Sequence, residues 1–81
     1  MEQHSSWTEK ENGLYKKFQF KDFVETFGFM TQVALLAEKA GHHPTWKNTY
    51  NTLEIWLITH DADHQITKKD RELAERIDDL L

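Results

Sequence analysis

Residues 46–60 read Trp46-Lys-Asn-Thr-Tyr-Asn-Thr-Leu-Glu-Ile-Trp-Leu-Ile-Thr-His60. Leu53, Ile55, Leu57 and Thr59 alternate with Glu54, Trp56, Ile58 and His60. A period of two is the mark of strands with one dry face. The expectation is two strands joined near Tyr50-Asn51 rather than one long strand. Upstream the period changes to that of a helix. Asp22 can cap it, and Glu25 three residues on completes a capping-box pattern. In the body from Phe23 to Ala40, Phe23, Phe27, Met30, Ala34 and Ala37 share one stripe, and Phe29, Val33, Leu36 and Ala40 share a second. So wide an apolar arc predicts burial against a sheet and against a further, partner surface. Gly41 suits the left-handed residue that ends such a helix, and Pro44 forbids its continuation.

Before the helix, Asn12-Gly13 is a strong signal for a type I′ turn. It predicts a hairpin of Trp7–Glu11 and Leu14–Phe20, with Leu14, Phe18 and Phe20 on the inner face and Tyr15, Lys17 and Gln19 on the outer. After the strands, residues 61–65 read as a polar loop. Thr67 then caps a last helix in which Leu73, Ala74, Ile77, Leu80 and Leu81 repeat at helical spacing. The order ββαββα describes an α+β fold, an antiparallel sheet with helices laid on one face.

Eighty-one residues make one domain near the lower size limit for a stable core. Residues 1–6, including His4, read as a polar tail, and residues 7–81 as the domain. Five Phe, three Trp and two Tyr carry the core. Association that buries more apolar surface stabilises so short a chain, so an oligomer is expected. Net charge is −4 with both signs interspersed, which argues against a nucleic-acid partner. Lys16-Lys17 and Lys68-Lys69 are short basic pairs, read as solvated surface. The chain has no cysteine, which excludes disulfides and thiolate chemistry. No apolar run approaches the roughly 20 residues that span a bilayer, and no leader begins the chain. A cytoplasmic protein without a membrane partner is expected.

Histidine is the side chain that exchanges protons near neutral pH, with an ordinary pKa of about 6.5. His42 and His43 follow the helix end at Gly41 and are stiffened by Pro44, while His60 ends the returning strand. If that strand lies beneath the helix, three imidazoles line one pocket. Glu38, one helical turn before His42, is placed to orient its ring. An acid and a base flanking one substrate would serve a dehydration. The residue types alone leave other readings open. His42 can simply complement the helix dipole, and His60 can be ordinary surface. His60, Asp61 and His64 resemble a metal-ligand cluster, although no H-E-x-x-H or cysteine pair accompanies them and no metal is assigned. Trp7, Trp46 and Trp56 read as core more than as ligand platforms.

Particular stretches resemble the pterin-4a-carbinolamine dehydratase family. They are Phe18-Gln-Phe-Lys-Asp-Phe23, Phe27-Gly-Phe-Met-Thr-Gln-Val-Ala34, His42-His-Pro-Thr-Trp46, Tyr50-Asn51, Thr59-His60 and Asp70-x-x-Leu73-Ala74. Glu38, His42-His43-Pro44, Tyr50, His60 and Asp70 match the family motif, and the likeness runs from about Trp7 to the C-terminus. The resemblance implies a four-stranded antiparallel sheet with helices on one face. It implies dehydration of 4a-hydroxytetrahydrobiopterin to quinonoid dihydropterin during tetrahydrobiopterin recycling, with neither metal nor organic cofactor. His42 and His60 would transfer protons and His43 would hold the pterin. Gly41, Thr59 and Asp61 would line the pocket, with Trp7 and Trp46 as a wall. A homodimer or homotetramer is implied. The alternatives are a non-catalytic dimerisation or protein-binding module, and a pterin-related role in molybdopterin metabolism. The family's usual N-terminal helix is unmatched by the six residues before Trp7, and Asp63-His64-Gln65 makes a bulkier loop than usual.

Overall fold

A computed structural model describes residues 6–60 and 65–81. The elements run β1 (Thr8–Lys10), β2 (Gly13–Gln19), α1 (Phe23–Ala40), β3 (Thr45–Thr49), β4 (Thr52–Leu57) and α2 (Lys68–Asp78). The strands form one antiparallel sheet in the order β1-β2-β4-β3. Both helices cover the same face, because neighbouring inward residues of β2 reach one helix each. Phe18 meets Phe29 of α1 at 5.0 Å between ring centroids, and Lys16 meets Asp78 of α2 at 2.9 Å. This is the α+β arrangement expected from the alternating period. Leu53, Ile55 and Leu57 of β4 are fully buried with Phe18, Val33, Leu73 and Ile77. Each such side chain contributes about 1.5–3 kcal/mol relative to exposure. The β3–β4 turn falls at Tyr50-Asn51, as expected, with Tyr50 at φ 51°. Among the described residues no helix is long and apolar enough to cross a membrane.

Three expectations are corrected. The first turn is built by Glu11 and Asn12 (φ 53° and 68°), one residue earlier than the Asn12-Gly13 reading, since Lys10 already pairs with Gly13. Gly13 is needed for space instead. A Cβ there would lie 2.6 Å from Ile58 Cγ1 and 3.1 Å from the Leu57 carbonyl. On α1 the buried set is Thr26, Phe29, Met30, Val33 and Ala37. That is one stripe at i, i+3, i+4 and i+7, and it leaves Phe23 and Phe27 about half exposed and Ala34 exposed. Thr26 tolerates burial because its hydroxyl donates to the Asp22 carbonyl at 2.8 Å. Finally, Lys16 is not solvated surface: its side chain is 2 % exposed. Strand parity puts it on the inner face between Leu14 and Phe18.

Candidate active site

The ends of α1 and β4 meet through strand register. Thr45 pairs with Trp56, so residues 41–44 and 58–60 leave the sheet at the same end. Gly41, at φ 65°, closes α1 in a Schellman arrangement. The His42 N–H donates to the Ala37 carbonyl at 3.1 Å and the Gly41 N–H to that of Glu38 at 3.2 Å. This reversal throws His42 off the helix axis. Thr59 is held from the other side by the Gln65 carbonyl, which accepts its N–H at 3.0 Å. The result is a cleft of about 380 Å³ lined by Gly41, His42, His43, Pro44, Thr45, Thr59, His60 and Lys69. Its size falls in the range of small-ligand sites.

Asp70 of α2 organises this cleft from below. Its fully buried carboxylate accepts from His42 Nε2 at 2.6 Å, from Thr59 Oγ1 at 2.7 Å and from the Thr67 N–H at 2.8 Å. Burial pushes the Asp70 carboxyl up. The bonds from His42, Thr67 and Thr59 and the charge of His42 outweigh that, so the group sits below the usual carboxylate value. An ionised Asp70 can only accept, which fixes the hydrogens around it. In the neutral His42 ring the one proton therefore sits on Nε2, leaving Nδ1 as the basic nitrogen. Thr59 spends its hydroxyl hydrogen on Asp70, so the 2.6 Å contact between Thr59 and Thr67 has Thr67 as donor. The same Asp70 completes the capping box of α2 with Thr67.

Glu38 acts on a different histidine from the one expected. It meets His43 Nε2 at 2.8 Å, and both side chains are mostly exposed, at 64 % for His43 and 81 % for Glu38. The i,i+4 expectation fails because His42 lies past the helix end and no longer follows helical geometry. His42, 12 % exposed, is held by Asp70 instead. Neither Trp7 nor Trp46 lines the cleft; both are half-buried against the core. Trp7 Nε1 donates to Asp78 at 3.1 Å. Tyr50 is exposed at the opposite end of the β3–β4 hairpin. Asp61 and His64, like His4, lie outside the described residues. Pro44, Thr45 and Lys69 also line the cleft, where the sequence reading makes Pro44 only a helix stop and Lys69 solvated surface. Asp70 enters the sequence reading only through the family motif, although Thr67-x-x-Asp70 has the spacing of a capping box and points to a carboxylate turned back on Thr67.

Histidines 42, 43 and 60 thus share one cleft, with one ring locked by a buried carboxylate. The family profile described as Pterin 4 alpha carbinolamine dehydratase matches residues 1–80. A Prochlorococcus marinus (strain NATL2A) protein provisionally named pterin-4-alpha-carbinolamine dehydratase is 48 % identical over 81 residues, all of this chain and 84 % of its own length. A Bradyrhizobium (strain BTAi1) protein with the same provisional name is 50 % identical over 76 residues, 91 % of this chain and 76 % of its own. Among solved structures, a transcriptional coactivator/pterin dehydratase from Brucella melitensis superposes with a TM-score of 0.83 at 39 % identity, covering 90 % of this chain and 79 % of that one. A pterin dehydratase-like protein identified as a RuBisCO assembly factor in the alpha-carboxysome gives 0.81 at 28 % identity, covering 96 % and 92 %. Matched along nearly its whole length by one profile and at about half identity by curated relatives, this chain belongs to the pterin-4a-carbinolamine dehydratase family.

Proposed function

We propose that this chain is a hydro-lyase that converts 4a-hydroxytetrahydrobiopterin to quinonoid dihydropterin and water, as a step in recycling tetrahydrobiopterin. The observation that carries the reading is the locking of His42 by Asp70 in a cleft that also holds His43 and His60. The elimination needs a proton delivered to the departing hydroxyl and another removed from the adjacent ring nitrogen. The N–H electrons become the new C=N bond as the C–O bond breaks. His42 Nδ1 takes the ring proton and His60 supplies the one that leaves with water. His43, Gly41 and Thr59 hold the bicyclic ring, with Asp61 expected beside them. Turnover of chemically generated 4a-carbinolamine tests this. The wild-type chain should exceed the spontaneous rate, and His42→Ala and His60→Ala should each lower kcat/KM at least about 10²-fold. A wild-type rate equal to the spontaneous one removes the enzyme; unaffected variants remove the role assignment.

The outer face of α1 supports a second reading that can hold alongside the first, a protein-binding surface occupied by another copy of the chain. Val24 (79 % exposed), Phe27 and Leu35 (69 %) lie on one outward stripe. Phe23 is also exposed, 5.9 Å from the Phe27 ring. Large apolar side chains exposed along one helix face in this way mark interaction sites. The two structural relatives, one described as a transcriptional coactivator and one as an assembly factor, fit such a face. A dimer or tetramer is the expected solution state, and Phe27→Glu should lower the mass seen by light scattering without altering the circular dichroism. A wild-type chain that stays monomeric at every concentration rejects this.

A further inference from the structure

A second groove, of about 320 Å³, opens where the last turn of α1 meets α2. Lys39 enters it from α1, and Lys69, Glu72 and Arg76 from α2. His42 and Lys69 line both this groove and the histidine cleft, so the two hollows share a wall. Three cations therefore face one carboxylate, and Glu72 is also approached by Lys68 at 3.7 Å. Among the described residues Lys39, Lys69 and Arg76 enter no ion pair within the 4.0 Å at which the pairs of this chain are found.

This gathering runs against two background tendencies. The chain as a whole is acidic, at −4, yet it places net positive charge beside its cleft. Lys39 sits in the last turn of α1, where the helix dipole favours a cation, and needs no other explanation. Lys69 is in the first turn of α2, where the dipole disfavours one. Fixed positive charge next to a ligand cleft attracts an anion. Two ammonium groups with a forked guanidinium suit the several oxygens of a phosphate better than a single carboxylate.

We propose that this groove is an anion subsite of the same cleft, taking a phosphate-class group carried on the side chain of the bound pterin. The inference rests on the pterin reading and goes beyond it in the substrate: the dihydroxypropyl side chain of biopterin carries no charge for this groove to hold, so a pterin with a negatively charged tail is a further ligand of the same cleft. Fluorescence titration of the full chain with 6-hydroxymethylpterin and with its phosphate monoester tests it. The ester should bind about tenfold more tightly than the alcohol at low salt, and the gap should close as NaCl screens the groove. The double variant Lys39→Ala/Arg76→Ala should bring the two affinities together while leaving that of the alcohol unchanged. Inorganic phosphate should weaken binding of the ester and not of the alcohol. Equal wild-type affinities, or a gap that survives the double variant, overturn the proposal. So does phosphate that binds the groove while the ester gains nothing, since the site would then hold a free anion. Failure of both the alcohol and the ester to bind is a different result: it removes the pterin reading, and this inference with it.

Discussion

Asp70→Asn is expected to leave the fold in place while lowering turnover by up to about 10⁴-fold, the scale seen when a carboxylate that fixes a catalytic imidazole becomes an amide. The amide is nearly isosteric. Its oxygen can still accept from Thr59 and the Thr67 N–H, as the carboxylate does at 2.7 and 2.8 Å. Its NH₂ then faces His42 Nε2, now 2.6 Å from Oδ1, and a donor there forces the ring proton onto Nδ1. The base proposed for the elimination is lost although no ligand contact has changed. Nitrogen-15 spectra of the histidine rings check this directly: the wild type should show His42 protonated on Nε2, the variant on Nδ1. The same tautomer in both would reject the role of Asp70 whatever the activity.

Asp70 also has a stability signature. Its folded carboxyl lies below the ordinary value of 3.8, so its contribution is fully present above that value and is lost as pH falls through the lower folded one. Acid unfolding below about pH 4 should therefore be steeper in the wild type than in Asp70→Asn. Asp70→Ala strips three donors of their acceptor and breaks the cap of α2. With each buried unpaired donor costing about 1–3 kcal/mol, that variant should be largely unfolded.

The contrast between Asp70 and Glu38 shows how much of the site was legible. The positions of His42, His43 and His60 at one end of the sheet follow from alternation in β4 and from the Gly41–Pro44 stop, both written locally. The partner of His42 is not. Asp70 lies 28 residues away and arrives through the contact between α1 and α2, which no local period encodes. Sequence spacing nominated Glu38 instead, by assuming a helix that Gly41 has already ended. Lys16 is the opposite case. Its inward direction was readable from the parity of Leu14, Phe18 and Phe20, yet a lysine in that series invites being passed over, because burying it needs a counter-charge. That counter-charge, Asp78, stands in the last turn of α2, where the helix dipole disfavours an acid. Two residues each misplaced by a local rule explain one another once the fold joins them.

That pair yields a second large expected loss of stability. Asp78 accepts from Lys16 Nζ at 2.9 Å and from Trp7 Nε1 with both oxygens at 3.1 Å, tying the end of α2 to β2 and to the segment before β1. The ammonium is otherwise surrounded by rings, 5.1 Å from the Phe18 centroid and 6.0 Å from that of Trp7. Asp78→Ala leaves a buried charge with no partner, which costs about 3–5 kcal/mol. That is a large share of the roughly 5–15 kcal/mol that holds a domain, and it corresponds to a fall in Tm of roughly 12–40 °C at this size. Lys16→Met should behave differently. It keeps the apolar stem in the core and removes the ion, and Asp78, 38 % exposed, can turn to water. A change near zero or a gain is expected, as when other buried ion pairs are replaced by well-packed apolar residues. Added to Lys16→Met, the Asp78→Ala change should then cost little, so the double variant recovers most of the loss. Thermal unfolding of the four chains gives the coupling. Losses that simply add would mean that Lys16 and Asp78 do not depend on one another, and that the sheet tolerates a buried ammonium without its carboxylate.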